Sequence, residues 1–523
     1  MKRIIIFIFS ITMLAASSCN NLDLAPEDYY GSGNFWSNTA QVEGFMLGLH
    51  TGLRNQNQSL FVLGEARGGT SMYGTSILDW ALNWSSPLKD NDFTKDKTHV
   101  TNWNGFYGNI LQVNVFIKNV EEGCRFLTDS ERNYMLGQAY GLRAFYYFLL
   151  YRTFGGVPFV EEAEVIYNTV SGAQDLYRPR ATPKEIMDFI KEDINKSDSY
   201  FGADYSFKAT RSMWSKAATL MLKAEIYLWS AKVTTGNQTP AATDLQTAKD
   251  ALTPLTGRFD LLSNFSDIFD YTKKGNDEII FTIRFMDGEA TNFGGEFLYR
   301  SDGIAGLVYT AEGRLIINDT LNIQMAGQSR HEFKFGLFES YDDYDSRKKA
   351  TFMDLYKRDE NQQVIRKGTL MKKGIGIINT NGIRVFVSDM PVYRYADALL
   401  LMAEVENKQG NDPSGYINQV RQRAYGSNYD EALHGYTDAG FAANELAILH
   451  ERDKEFVWEG KRWFDVVRMQ DANGRALVFS AAASYDSPPR PILDYATEAH
   501  KLLWPVDVNT LNNDPTLEQT PGY

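Results

Sequence analysis

From Trp103 onward the apolar positions of this chain fall mostly three and four apart, the interval that lines one face of an α-helix. The clearest run is 131–152, where Met135, Ala139, Leu142, Phe145, Tyr146 and Leu149 share a face. Thr128 and Glu131 stand ahead of it at capping-box spacing, and Gly155, Gly156 and Pro158 stop it. Residues 212–231 repeat the pattern through Met213, Ala217, Leu220, Ala224 and Tyr227, with small alanines that let a neighbouring helix approach closely. A third helix is predicted over 391–410, with Ser388 or Asp389 as its cap, Pro391 in its first turn and Gly410 closing it. Further helices are predicted over 183–199, 414–425 and 442–469. Paired amphipathic helices of this length build helical-repeat solenoids, although no fixed repeat signature recurs here.

Other segments have a different character. Residues 50–100 are rich in Gly, Ser, Asn and Trp with weak periodicity, and 270–390 carries short strand-like runs such as Glu278 to Arg284 and Ile383 to Val387. Loop-rich insertions on a helical frame are where binding sites usually sit. The first residues read as an export signal: Lys2 and Arg3, an apolar run from Ile4 to Ala16, small residues to Ser18, then Cys19. That run is shorter than the roughly 20 apolar residues a bilayer anchor needs. A cysteine directly after the small residues suggests lipidation of Cys19, with ordinary secretion as the alternative; Ala16 to Ser18 is a loose lipobox, the preferred leucine lying upstream at Leu14. Asn20 to Gly33 is polar and acidic and reads as a tether.

Composition narrows the function. A net charge of -13 argues against nucleic acid as partner. Two cysteines, Cys19 and Cys124, leave no disulfide if Cys19 carries lipid, so stability must come from a core. The length of 523 residues would ordinarily suggest about three domains. Tyr and Phe number 29 and 32; most of these should be core, yet the Trp and Tyr of polar loops cannot all be.

Five segments in sequence, and the closing segment after them, carry a family resemblance. WNGFYGNILQVNVFIKNV from Trp103 resembles the first conserved helix of the SusD/RagB family, and LGQAYGLRAFYYFLLYRTFGGVPFV from Leu136 resembles its second, with Gln138 where an acidic residue is commoner. YRYADALLLMAEVEN from Tyr393 is similar to a third, Arg394 matching and Asp397 standing near the usual glutamate. INQVRQRA from Ile417 and the diagnostic HERDKEFVWEGKRWFDVVR from His450 follow. WPVDVNTLNNDPTLEQTPGY from Trp504 matches the family's closing segment, with Thr520 replacing asparagine. The motifs come in the family's order. The resemblance implies a mainly α fold, a frame of tetratricopeptide-like helix pairs with loop-rich and short β insertions. It divides the chain into a lipoprotein signal peptide (1–18), an N-terminal region with the helical-repeat frame (19–235) and a C-terminal region (236–523) packed with it as one unit. It implies an outer-membrane lipoprotein facing the cell exterior, not an enzyme, that captures a glycan and delivers it to a SusC-like TonB-dependent transporter. Some members take peptides instead.

The run from Glu451 to Arg468 interleaves charges at spacings of three, four and seven with Phe456, Trp458, Trp463 and Phe464. We read these charges, and the pair Asp345 and Arg347, as buried ion pairs that fix helix packing, with an acid/base site as the alternative. Other chemical signals fail on spacing. The histidines at 50, 99, 331, 434, 450 and 500 show no metal-ligand interval, and Phe335 stands where His331-Glu332 would need a second histidine. Asp90, Asn91, Asp92 and Asp96 lack the glycine and closing glutamate of a calcium loop and read as a solvated acidic loop. No catalytic residue, metal or cofactor is expected. With 66 Asp and Glu residues, a lipid-anchored glycosidase is the rival class, and a helical scaffold for protein partners is a third.

Sugar rings need aromatic platforms for their C–H faces and polar side chains for their hydroxyls. The segment DWALNW, 79–84, offers both: in a helical turn Trp80 and Trp84 would share a face beside Asp79 and Asn83, with Arg67 and Tyr73 just upstream. A second cluster, Asn292, Phe293, Tyr299, Arg300 and Tyr309, sits among glycines. A peptide would use the same residues, and core packing is the competing reading for each aromatic.

Overall fold

The computed structural model describes residues 35–82, 86–98, 103–167, 170–208 and 210–523. The export signal, Cys19 and the tether lie outside the described residues, as do Asn83, Trp84 and His99. The frame is helical: α1 (Thr39–Asn55), α2 (Asn104–Glu122), α3 (Asp129–Phe154), α4 (Pro183–Phe201), α5 (Lys216–Lys232) and α6 (Asp244–Leu252) pack on one another in chain order. After β1 (Ile279–Ile283) comes the insertion, with β2 (Phe352–Arg358), β3 (Val364–Met371), β4 (Ile377–Ile378) and β5 (Arg384–Val385). β6 (Met390–Arg394) returns to pair with β1, and α7 (Tyr395–Gln409), α8 (Ser414–Tyr425), α9 (Phe441–Glu455) and α10 (Arg462–Arg468) follow. α6 packs on α7, and α7 on α8 and α9, so the frame closes across the insertion. Among the described residues, no helix is long and apolar enough to cross a membrane.

Local chemistry sets several of these ends. Thr128 Oγ1 accepts the Glu131 N–H at 3.3 Å while the Glu131 carboxylate accepts the Thr128 N–H at 2.8 Å. Gly155, at φ +75°, ends the helix. Every residue of α3 from Tyr134 to Phe154 is buried, so its apolar stripe is one part of a helix enclosed all round. α5 starts later than its periodicity predicts, at Lys216, capped by Ser215, whose Oγ accepts the Ala218 N–H; Met213 and Trp214 precede it.

Three expectations are corrected. Residues 391–394 are strand, not helix: β6 pairs antiparallel with β1, Ile283 opposite Met390 and Thr282 opposite Pro391. Pro391 holds Met390 extended, and all five residues of β6 are buried, so the segment satisfies its backbone against β1. The helix then begins at Tyr395, while Gly410 ends it in the left-handed region at φ +84°. The 442–469 helix is two, α9 and α10, broken by a turn in which Trp458 (φ +75°) and Gly460 (φ +71°) are left-handed. The buried Glu65 carboxylate accepts the N–H of both residues at 2.8 Å, which holds the turn open. Finally, the weakly periodic 50–100 region is preceded by, and partly contains, α1, followed by helical turns over 57–66.

The charges of the diagnostic run are joined in pairs beneath the surface. Arg394 reaches Glu278, Glu455 and Glu459 at 2.7, 2.6 and 2.9 Å. Arg347 reaches Asp345 and Glu451, each at 2.7 Å, and Glu455 at 2.9 Å. Arg452 bridges Asp397 and Asp465 at 2.7 and 2.8 Å, and Arg462 holds Asp453 at 2.6 Å. With Arg423 of α8, which reaches Glu278 at 2.9 Å, these pairs tie α7, α8, α9 and α10 to β6 and to the residue ahead of β1; β1 and β6 are the strands that bound the insertion.

Candidate functional site

The insertion between β1 and β6 has a small core of its own, built from Leu298, Tyr299, Ile304, Val308, Leu355 and Leu370 together with Ile77 and Leu78 of the 71–82 loop. That loop is anchored at its base, where the Met72 N–H donates to the Glu332 carbonyl at 2.7 Å. It then folds back on itself: the Ser76 N–H donates to Trp80 O, and the Leu82 N–H to Gly74 O, each at 2.8 Å. Ser76 Oγ accepts the Leu78 and Trp80 N–H groups at 3.2 Å, and Asp79 is left-handed at φ +64°. The segment 79–82 is therefore a side-chain-stabilised turn and not a helix, because the Ser76 hydroxyl offers the backbone a competing partner.

This turn presents Trp80 outward. With 40% of its surface accessible, Trp80 is the exposed tryptophan among the described residues. Its ring stands edge-on to Tyr299 at 5.9 Å between centroids and 69° between planes. A Cβ on Gly303 would lie 2.6 Å from Trp80 Cη2, so the glycine makes room for the indole. Tyr299 is buried, and its hydroxyl donates to the Glu332 carboxylate, which also accepts the Ile77 N–H at 3.4 Å. Burial pushes the Glu332 carboxyl up to about 7.

Charged side chains lie on and near the turn. Asp79 is gripped by Lys357 and by Arg366, the latter at 2.6 Å, and Lys357 and Arg366 hold its carboxyl below the usual range. Arg300 pairs with Asp302 at 2.7 Å, both exposed. Tyr309 is half-buried, with the Arg358 guanidinium 5.9 Å from its ring. Asp79, Trp80, Arg300 and Tyr309 thus sit on or at the edge of the insertion face.

The remaining candidates lie elsewhere. Phe293 packs into the main core between Phe61 and Trp458, at 5.6 and 5.8 Å. Arg67 is wholly buried; its guanidinium stacks on Trp463 at 3.8 Å and Phe93 at 4.8 Å, and its Nε donates to Asn91 at 2.7 Å. Arg67 offers no surface to a ligand, Phe293 is half-buried against the core, and the Tyr299 hydroxyl points inward, so these three support structure. Tyr73 opens onto a separate cleft of about 320 Å³ shared with Lys334, Asp486 and Arg490, and Arg490 donates to its hydroxyl. Asn83 and Trp84 fall outside the described residues. In the acidic loop, Asp92 pairs with Lys97 at 3.5 Å and Asn91 turns inward to Arg67. Among the described residues no group of three or more His, Cys, Asp or Glu could hold a metal ion.

Sequence reasoning missed Lys357, Arg366, Gly303 and Glu332. Lys357 and Arg366 lie almost three hundred positions after Asp79 and face it only because β2 and β3 form a hairpin beside the loop. No local pattern marks them.

Comparison with known proteins adds two matched regions and several relatives. Residues 324–523 match the SusD family, and residues 37–228 match a family described as starch-binding and associating with the outer membrane. A SusD superfamily protein from Bacteroides fragilis is 40% identical, covers 94% of this chain and all of its own, and superposes with a TM-score of 0.87. NanU of B. fragilis is 33% identical over 96% of this chain and all of its own, with a TM-score of 0.82. The starch-binding protein SusD of Bacteroides thetaiotaomicron is 24% identical over 99% of this chain and 98% of its own.

Proposed function

The chain belongs to the SusD family of non-catalytic, outer-membrane-associated binding proteins, and from that premise we propose that it captures an oligosaccharide on the Trp80 platform at the cell surface and passes it to a SusC-like TonB-dependent transporter. The observation that carries this reading is an exposed indole, braced from below by Tyr299 and flanked by Asp79 with its partners Lys357 and Arg366. An aromatic face accepts the C–H side of a pyranose ring, and paired carboxylate and guanidinium groups turn toward hydroxyls around it. Tyr309 is half-buried on the same insertion. Lipidation of Cys19 would hold the chain at the membrane, with the acidic tether giving reach. That one matched family is starch-binding favours glycan over peptide as the class of ligand.

The test is calorimetric titration of the chain lacking its export signal with panels of oligosaccharides and peptides, alongside Trp80→Ala. We expect one glycan class to bind without being cleaved, and Trp80→Ala to weaken it about tenfold or more, as loss of an aromatic anchor does. Glycan binding that survives Trp80→Ala unchanged removes the platform. Saturable binding of peptides and of no glycan replaces the ligand class.

A further inference from the structure

A cavity of about 440 Å³ opens between the C-terminal half of α1, residues 210–213, and β1 with the turn that follows it. None of the platform residues lines it. Its walls are apolar along Leu47, Leu53, Met213, Phe281, Ile283 and Met286. Most polar groups around it already have partners. His50 donates from Nδ1 to the Met46 carbonyl at 3.0 Å and accepts the Trp214 N–H on Nε2 at 2.8 Å. That network assigns the neutral tautomer, and burial lowers the His50 pKa to about 4, so the imidazole adds no charge. Arg54 is paired with Glu289 at the rim. The Thr210 and Ser212 hydroxyls bond each other at 2.6 Å, and Thr51 bonds the Leu47 carbonyl at 3.0 Å.

Two groups remain. Thr282 is buried at the cavity wall, and its Oγ1 has no hydrogen-bond partner. Arg284, two residues further along the same chain segment, makes no hydrogen bond or ion pair among the described residues, and its Nε is shut off from water. The carboxylates that could answer it are engaged. Asp389, which feels the Arg284 charge, is paired with Lys274 and accepts the Phe285 N–H at 3.1 Å. Glu289 belongs to Arg54. A half-buried guanidinium that no carboxylate contacts directly is unfavourable, and native structures rarely leave one so.

We propose that this cavity is a second ligand site, taking a small organic carboxylate whose apolar body lies along Leu47, Met213, Phe281 and Met286 while its carboxylate pairs with the Arg284 guanidinium. The planar fork of arginine matches a carboxylate in two parallel hydrogen bonds. The volume falls within the roughly 300–1,000 Å³ usual for small-molecule sites. A cation would face two arginines. A sugar would find no exposed ring, because Phe281, the aromatic of the lining, is itself buried in β1. The site is independent of the glycan reading and stands or falls without it.

Hexanoate is the probe, with 1-hexanol as its neutral counterpart, titrated calorimetrically into the mature chain and followed by ligand-observed saturation-transfer spectra. Hexanoate should bind saturably, and hexanol at least about tenfold more weakly, since it cannot pair with the buried-side cation. Arg284→Met should cost hexanoate about the same factor, while Arg284→Lys, which keeps charge without the fork, should retain part of the affinity. Melting curves establish that the variants are folded. The proposal is overturned if hexanoate does not saturate on the unsubstituted chain, if hexanol binds equally well, or if folded Arg284→Met binds hexanoate unchanged. Should Arg284→Met fail to fold, the hexanoate-to-hexanol comparison and Arg284→Lys decide alone.

Discussion

Arg394 is wholly enclosed, yet its guanidinium meets three carboxylates and the Glu455 carbonyl, the last at 2.8 Å. Desolvating a cation is tolerable only with such company, and removing it leaves buried carboxylates short of positive charge. Arg394→Met should therefore lower unfolding stability by about 3–5 kcal/mol, read from urea denaturation, because Glu278, Glu455 and Glu459 each lose a buried cation and must share Arg423, Arg347 and Lys373. A loss under about 1 kcal/mol would mean that the carboxylates protonate or hydrate freely, and the network would not be a structural keystone. The same logic applies to Arg462→Ala, which opens Asp453 and frees the Gly68 carbonyl that Arg462 Nε holds at 3.0 Å. It should reduce folding yield without changing which ligand is preferred; a soluble, fully folded variant with altered ligand preference would contradict it. At this scale the sequence shows charges at helical intervals among large aromatics, which is enough to expect pairing. It does not show the partners: Glu278 precedes Arg394 by 116 positions. Nor does it show which way a loop residue faces, and so Arg67 and Tyr299 read as ligand groups although one stacks on Trp463 and the other braces Trp80 from within.

Helix ends governed by neighbours in sequence were legible; elements governed by distant partners were not. The Thr128–Glu131 capping box and the Gly155 stop act within a few residues, and both are where the pattern places them. β6 and the turn between α9 and α10 are decided by β1 and by Glu65, neither of which a local window contains. Two substitutions separate these cases. Thr128→Ala removes one cap and should cost about 1 kcal/mol. Gly64→Ala places a Cβ 1.8 Å from the Gly460 carbonyl oxygen, backbone that no rotamer change can move aside. It should cost about 3 kcal/mol or more, and should loosen the Trp458 turn that Glu65 clasps. Denaturant midpoints for the two variants check the order. If Gly64→Ala proves as mild as Thr128→Ala, the 60–66 segment and the turn are not packed backbone to backbone.

On the scale of the whole molecule, the helical class and its loop-rich insertion could be read from periodicity. That the insertion carries its own small core could not, because Ile77 and Leu78 join it from far upstream. A platform on a separate, smaller core should open more readily than the frame. Amide exchange over 295–325 should therefore be faster than over the enclosed α3, and equal protection would make the two one cooperative unit. The buried charges set a different, global property. Burial alone would raise the carboxyls of Asp397, Glu404 and Glu451, but the cations packed on them prevail and hold each at about 2, below ordinary values of 3.8, 4.5 and 4.5. A depressed folded-state pKa contributes stability that is present above the unfolded value and lost as pH falls through the folded one. Glu332 and Glu65, raised by burial to about 7 and about 8, are protonated in both states below the ordinary carboxyl range and do not oppose this trend there. A net charge of -13 would by itself favour mild acidification, since protonation relieves repulsion. The network reverses that once pH drops below about 4.5, and melting temperature should fall steadily from there toward about 2. Glu451→Gln, which removes one depressed carboxyl beside Arg347 and Arg421, should start from a lower melting temperature and decline less steeply across the same window. Parallel slopes for the two proteins would place the acid sensitivity elsewhere and detach the ion pairs from the stability they are assigned.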